Sequence, residues 1–207
     1  MIEKLMQRYP QLKRCESEIA RAIEMMLDTY RRGGKIMVCG NGGSAADADH
    51  IVGDLMKGFL HRRPVNDSAA EKFREALGEA SDDYIKKLQC GIPAISLPAQ
   101  SAVLSAFAND VEPSLVYAQL TYALGRPGDV FMGISTSGNS KNVVEAAEVA
   151  RRLGLVTIAL TGASGGKLAD ICHVTIRVPE NETYLVQELH LPVYHAICAE
   201  VEERLFG

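Results

Sequence analysis

Five short apolar runs, at 35–39, 94–97, 130–134, 156–160 and 174–178, alternate with segments whose apolar residues recur at helical spacing. Runs such as Ile36-Met37-Val38-Cys39 and Val130-Phe131-Met132-Gly133-Ile134 are apolar without interruption, the pattern of parallel strands covered on both faces. Parallel neighbours need crossovers, and the intervening helices supply them. The expected fold is therefore doubly wound α/β, a five-stranded parallel sheet with helices on both faces. Leu12, Ile19, Ala22, Ile23, Met26, Leu27 and Tyr30 predict an N-terminal helix over 11–31, after a break near Pro10 and before Gly33-Gly34. Further helices are expected from Ser44 to about Leu60 and from Asn139 to Leu153. Residues 62–92 interrupt the rhythm. They are charged, helix-prone over 69–88 and without a strand pattern, which predicts a helical insertion over the sheet edge. With no tandem repeat and no linker, residues 1–207 read as a single domain.

Several function classes fall away on composition. A formal charge of -4 argues against nucleic acid as a partner, and the triplet His61-Arg62-Arg63 reads as a solvated helix end. No run approaches the roughly 20 apolar residues that cross a bilayer, and the polar N-terminus lacks the apolar core of a secretion signal. Cys15, Cys39, Cys90, Cys172 and Cys198 are scattered without a C-x-x-C pair, so neither a disulfide framework nor a cysteine zinc site is indicated. A reducing cytoplasm is the expected compartment.

In sheets of this kind ligands bind beyond the carboxyl ends of the strands. Two connections there carry unusual chemistry. Gly133-Ile134-Ser135-Thr136-Ser137-Gly138-Asn139-Ser140 sets four hydroxyl side chains between a strand and a helix start. A helix N-terminus offers free N–H groups and a positive dipole end, so Ser135, Thr136, Ser137 and Ser140 beside it predict a phosphate cradle. Capping the helix would need only one hydroxyl. The second connection, Cys39-Gly40-Asn41-Gly42-Gly43-Ser44, lets backbone approach a ligand closely and places Ser44 where a cap is expected. It has neither the dinucleotide fingerprint nor the P-loop spacing. Together the two loops can hold one sugar phosphate.

His50 and Asp54 lie four residues apart on the helix after the first loop, which is metal-ligand spacing and equally that of an ordinary ion pair. In the last helix Gln187 and His195 fall within a quarter turn of each other across two turns and face one cavity. Pro192 between them demands a kink or a lost hydrogen bond.

Taken with Gly162, Gly165-Gly166-Lys167 and Gln187-Glu188-Leu189-His190, these motifs resemble the phosphoheptose isomerase family, a branch of the sugar isomerase (SIS) domains of flavodoxin-like topology. The resemblance spans the chain except 62–92. It implies conversion of sedoheptulose 7-phosphate, with Ser135, Thr136, Ser137 and Ser140 on the phosphate and Asn41, Gly42, Gly43 and Ser44 against the sugar. It also implies one zinc per subunit on His50, Asp54, Gln187 and His195, with Asp54 and His195 as acid/base groups, Gln187 also meeting substrate, and Asp110 of Asn109-Asp110 near it. Two departures stand out: Asp54 replaces the family's glutamate, and Tyr184 replaces a frequent aspartate. A homotetramer with shared active sites is the family's usual assembly. The rival reading is a non-catalytic SIS protein, a sugar-phosphate sensor or a relative of those that bind the replication initiator; retention of Asp54 and His195 favours the enzyme.

Overall fold

The computed structural model describes all 207 residues. Its five strands are β1 (Ile36–Cys39), β2 (Ala94–Ser96), β3 (Val130–Ser135), β4 (Val156–Thr161) and β5 (Val174–Arg177). They pair in the order β2-β1-β3-β4-β5, all parallel. The expected doubly wound sheet is present. Its connections run outward in opposite directions from β1 and β3, so a crevice opens between the carboxyl ends of these two neighbours.

Alternation along the strands sorts the core into two layers. Ile36, Val38, Val130, Met132 and Ile134 face the larger layer, beneath α1 (Ile2–Arg8), α2 (Glu16–Arg31), α3 (Gly43–Met56) and α10 (Thr183–Phe206). Met37, Cys39 and Phe131 face the smaller one, beneath α7 (Val116–Leu124) and α8 (Lys141–Arg152). The short α9 (Leu168–Ile171) leads into β5, and α6 (Ser101–Asp110) follows β2 without burying any residue.

The N-terminal helix expected over 11–31 is divided: Pro10–Cys15 form a 3-10 helix and the α-helix starts at Glu16. A proline at the first position suits the tighter turn, and a separate helix, α1, precedes it. α3 stops at Met56 rather than near Leu60, where the chain becomes extended at Lys57. The insertion is helical, as α4 (Asp67–Leu77) and α5 (Ser81–Lys87), joined by a single 3-10 turn at Gly78–Ala80. These two helices pack chiefly on each other, with Phe73 stacked on Tyr84, above an antiparallel bridge between Pro64 and Gln89.

The reading of Arg63 as solvated is overturned. Arg63 is fully buried and pairs at 2.7 Å with Glu202, also fully buried. Glu202 accepts from the backbone N–H groups of Phe59, Leu60 and His61, while Arg63 donates to the carbonyls of Leu55 and Asp54. Neither charge is left with an open hydrogen-bonding site of consequence, which is the condition for a buried ion pair to persist. Burial acts to raise the Glu202 carboxyl, but the Phe59 and Leu60 N–H groups and the guanidinium outweigh it and hold the group below the usual range. This hub ties the end of α3 and the root of the insertion to α10.

Candidate active site

The hydroxyl loop leaves β3 and enters α8. Ser140 is the residue before the helix, yet its side chain makes no capping bond. Its hydroxyl instead meets that of Ser135 at 2.9 Å, and Ser137 Oγ accepts from the Asn139 N–H. The hydroxyls therefore shape the loop and leave the helix end uncapped, as an anion site requires. Gly138 fixes the turn with φ of 66°, and a Cβ there would lie 1.9 Å from the Gly165 carbonyl oxygen. The loop thus packs against the Gly165-Gly166 turn, where Lys167 N–H donates to Asn139 Oδ1. Thr136 is half-buried beside them.

The first loop leaves β1 and enters α3, whose N-cap is Gly42 at φ 55° with no side-chain cap. Ser44 is therefore not the cap; it is a buried residue of the first turn. Asn41 and Asn142 exchange side-chain amide hydrogen bonds of 2.8 and 2.9 Å, joining the first loop to α8. Tyr117 donates to the Gly40 carbonyl at 2.7 Å. Two uncapped helix ends, from neighbouring strands, thus border one crevice. Asn142 and Tyr117 escaped the sequence reading, since neither belongs to a recognisable spacing.

α3 and α10 bring the chemical groups together. Asp54 Oδ2 lies 3.9 Å from His50 Nε2 and 4.0 Å from His195 Nε2, and the two imidazole nitrogens are 3.3 Å apart. Asp54 is 6% exposed, and its Oδ2 has no hydrogen-bond partner. Burial pushes its carboxyl up, opposed by the two histidines, and burial pushes His195 down, with His50 adding to the fall and Asp54 opposing it. The two shifts bring the affinities of the carboxylate and the imidazole for a proton closer together, which favours proton exchange through a shared substrate. Gln187 reaches from α10 over the first loop: a Cβ on Gly43 would stand 2.6 Å from its Nε2, so a side chain there would push the Gln187 amide aside. α10 runs through Pro192 as one continuous helix, in which the proline ring has no N–H to donate to the preceding turn.

Asp110 is exposed at the end of α6, where its carboxylate accepts from Asn109, and no hydrogen bond joins it to the other site residues. Tyr184 is 58% exposed near the start of α10. A cavity of about 330 Å³ opens between α1, Phe59-Leu60 and α10; it touches the cluster through His195 but no residue of the hydroxyl loop.

Two histidines and a carboxylate are a borderline-soft donor set suited to zinc. Tetrahedral zinc, with ligand bonds of about 2.0–2.1 Å, separates its ligand atoms by roughly 3.4 Å. The His50–His195 separation of 3.3 Å matches this, the two separations to Asp54, 3.9 and 4.0 Å, are wider, and the buried, unpartnered Asp54 Oδ2 is an atom that such an ion would satisfy.

Fold and site define an SIS domain, and the chain matches that family over residues 2–88 and 79–162. It is 37% identical over 195 residues to the phosphoheptose isomerase of Aneurinibacillus thermoaerophilus, covering 92% of this chain and 85% of that protein. Identity to the phosphoheptose isomerase of Roseiflexus sp. (strain RS-1) is 40% over 183 residues, covering 88% and 80%. The phosphoheptose isomerase structure from Neisseria gonorrhoeae superposes with a TM-score of 0.73 at 31% identity, covering 97% of this chain and 98% of that one. That from Francisella tularensis gives 0.77 at 29%, covering 97% and 94%. The chain belongs to the phosphoheptose isomerase family.

Proposed function

We propose that the chain is an aldose-ketose isomerase that converts sedoheptulose 7-phosphate to D-glycero-D-manno-heptose 7-phosphate through a cis-enediol. The convergence of Asp54, His50 and His195 carries this reading, because a carboxylate and a histidine at one point supply the base and the acid that a 1,2-carbonyl shift needs. The non-catalytic reading leaves a buried, unpartnered carboxylate oxygen without a purpose.

Ser135, Thr136, Ser137 and Ser140, with the uncapped end of α8, bind the phosphate. Asn41, Gly42, Gly43, Ser44 and Gln187 border the sugar. Asp54 takes the proton from C1 of the ketose, and the C2 carbonyl oxygen gains a proton as the enediol forms. His195 returns a proton to C2 as the C1 hydroxyl gives up its own, so that the carbonyl finishes at C1 and no net proton is consumed. Binding energy from the remote phosphate holds C1 and C2 in place during both transfers. His50, Asp54 and His195, with Gln187 as a further ligand, would hold one zinc ion. When bound it supplies Lewis-acid polarisation of the substrate oxygens and orients the side chains. The assembly proposed is a cytoplasmic homotetramer with shared sites, a reading supported by the unburied α6 and the exposed Val103, Val111 and Tyr122.

Incubation with sedoheptulose 7-phosphate and a panel of pentose and hexose phosphates, with and without zinc, tests the assignment by aldose formation. Turnover of the heptose, lost by about 10²–10⁴-fold in His195→Gln while inorganic phosphate still binds, is the expected result. Tight binding of one sugar phosphate without turnover of any would establish the sensor instead.

A further inference from the structure

The geometry points to a role for Tyr194: backed by Asp47, it is a positioning residue that fixes the tautomer and orientation of His50 for metal capture, an inference that rests on the metal reading above. Tyr194 is 1% exposed, and its hydroxyl stands 3.0 Å from His50 Nδ1 and 3.2 Å from Asp47 Oδ1. Asp47 and His50 are one turn apart on α3, and α10 inserts the phenol between them.

Proton counting fixes the direction of the relay. A phenol has one proton to donate, and a carboxylate can only accept. The Tyr194 hydroxyl is the one donor that reaches Asp47, at Oδ1, while Oδ2 stays buried without a partner. With its proton directed to Asp47, the Tyr194 oxygen accepts from Nδ1–H of His50. A proton on Nδ1 leaves the lone pair on Nε2, the atom that faces His195 Nε2 at 3.3 Å and Asp54 Oδ2 at 3.9 Å. A carboxylate or its relay behind a ligating imidazole sets which nitrogen is free and how the ring is aimed. The perpendicular contact of the two rings, 5.4 Å between centroids at 70°, restrains the imidazole further. His195 has no comparable partner: its hydrogen bonding is confined to Nε2. The two ligands are thus held unequally, His50 by a buried relay and His195 by packing on Phe59 and Tyr194.

Tyr194→Phe removes the hydroxyl and keeps the ring. Two measurements read its effect: zinc affinity by chelator competition, and ¹⁵N NMR of histidine-labelled, metal-free protein at pH 8. The expected result is a roughly 10–100-fold loss of zinc affinity and a shift of His50 from the Nδ1–H form toward the distribution of an unconstrained imidazole; the thermal melt should also fall, because Asp47 loses its donor, and the tautomer is read independently of that fall. Asp47→Asn, whose amide can donate to the Tyr194 oxygen, releases the hydroxyl to donate to Nδ1 and moves the histidine proton to Nε2. A merely structural tyrosine would not produce that inversion. Retention of the Nδ1–H form and of zinc affinity in Tyr194→Phe overturns the proposal. Wild-type protein that takes up no zinc would sink the metal reading, and the tautomer measurement would still decide whether the relay exists.

Discussion

The hydroxyl loop and the His50, Asp54 and His195 cluster are built on opposite plans. The loop is local: one strand, eight residues and one helix supply its groups, and its internal hydrogen bonds span five residues or fewer, as between Ser135 and Ser140. The cluster joins residues 145 positions apart and exists only where α10 docks on α3. Its distances depend on what locks those helices, and the lock is the buried Arg63–Glu202 pair, whose guanidinium also holds the Asp54 carbonyl. A binding loop tolerates neighbours that move slightly; a three-ligand centre does not. Damage to the docking of α10 should therefore separate binding from chemistry.

The largest effect is expected at the lock. Glu202→Ala leaves the Arg63 charge buried without its partner and should cost about 3–5 kcal/mol of stability, read by urea denaturation. Replacing both residues, as in Arg63→Met with Glu202→Leu, should recover only part of that loss: no charge is then stranded, but the Phe59, Leu60 and His61 N–H groups and the Leu55 and Asp54 carbonyls lose their partners. Recovery of stability without recovery of zinc affinity would show that the lock also sets the site geometry. Next comes His190, fully buried on α10, whose ring nitrogens make no hydrogen bond of ordinary geometry and have only the Thr161 backbone nearby. Burial pushes it down to about 4, the Thr161 backbone opposing. In the unfolded chain the ring charges below about 6.5, so between 6.5 and 4 the unfolded state takes up the extra proton. Stability should fall as the pH drops through that window, by on the order of 3 kcal/mol in full. His190→Leu should flatten this slope in denaturation curves measured at several pH values; an unchanged slope would assign the acid sensitivity elsewhere.

The same contrast explains what the sequence made legible. The sheet and the hydroxyl loop were readable because strand continuity, helical spacing and clustered hydroxyls are local signals. Helix geometry alone set Gln187 and His195 on one face, but the pairing of His50 and Asp54 with His195 needed the family resemblance, since spacing alone gives H-x-x-x-D an ordinary reading. Arg63 was misread for a related reason. A charged triplet signals solvent exposure unless its partner is known, and Glu202 lies 139 residues away. The Tyr194 relay was likewise hidden, because a tyrosine on an apolar helix face looks like core until Asp47 and His50 are seen beside it.

Smaller effects should appear in the loops. Ser135→Ala deletes a hydroxyl that meets Ser140 and borders the uncapped end of α8. A hydrogen bond to a charged phosphate contributes about 1.5–3 kcal/mol, so KM for the sugar phosphate should rise by roughly 10- to 150-fold. Loss of kcat without a rise in KM would place Ser135 in the chemistry rather than the binding and would erase the division of labour between loop and cluster.

Asn142→Ala gives the mildest test. It removes the reciprocal amide pair with Asn41, two exposed neutral hydrogen bonds whose net contribution is about 1 kcal/mol each or less. Neither partner is buried, so global stability should change little. What the pair supplies is register between the two loops, each rooted on its own strand and helix. KM should rise a few-fold while zinc affinity stays at the wild-type value, because the convergence of His50, Asp54 and His195 depends on α10 and not on this contact. A parallel loss of zinc affinity would mean that the first loop transmits its position along α3 to His50, and that the two regions are one mechanical unit.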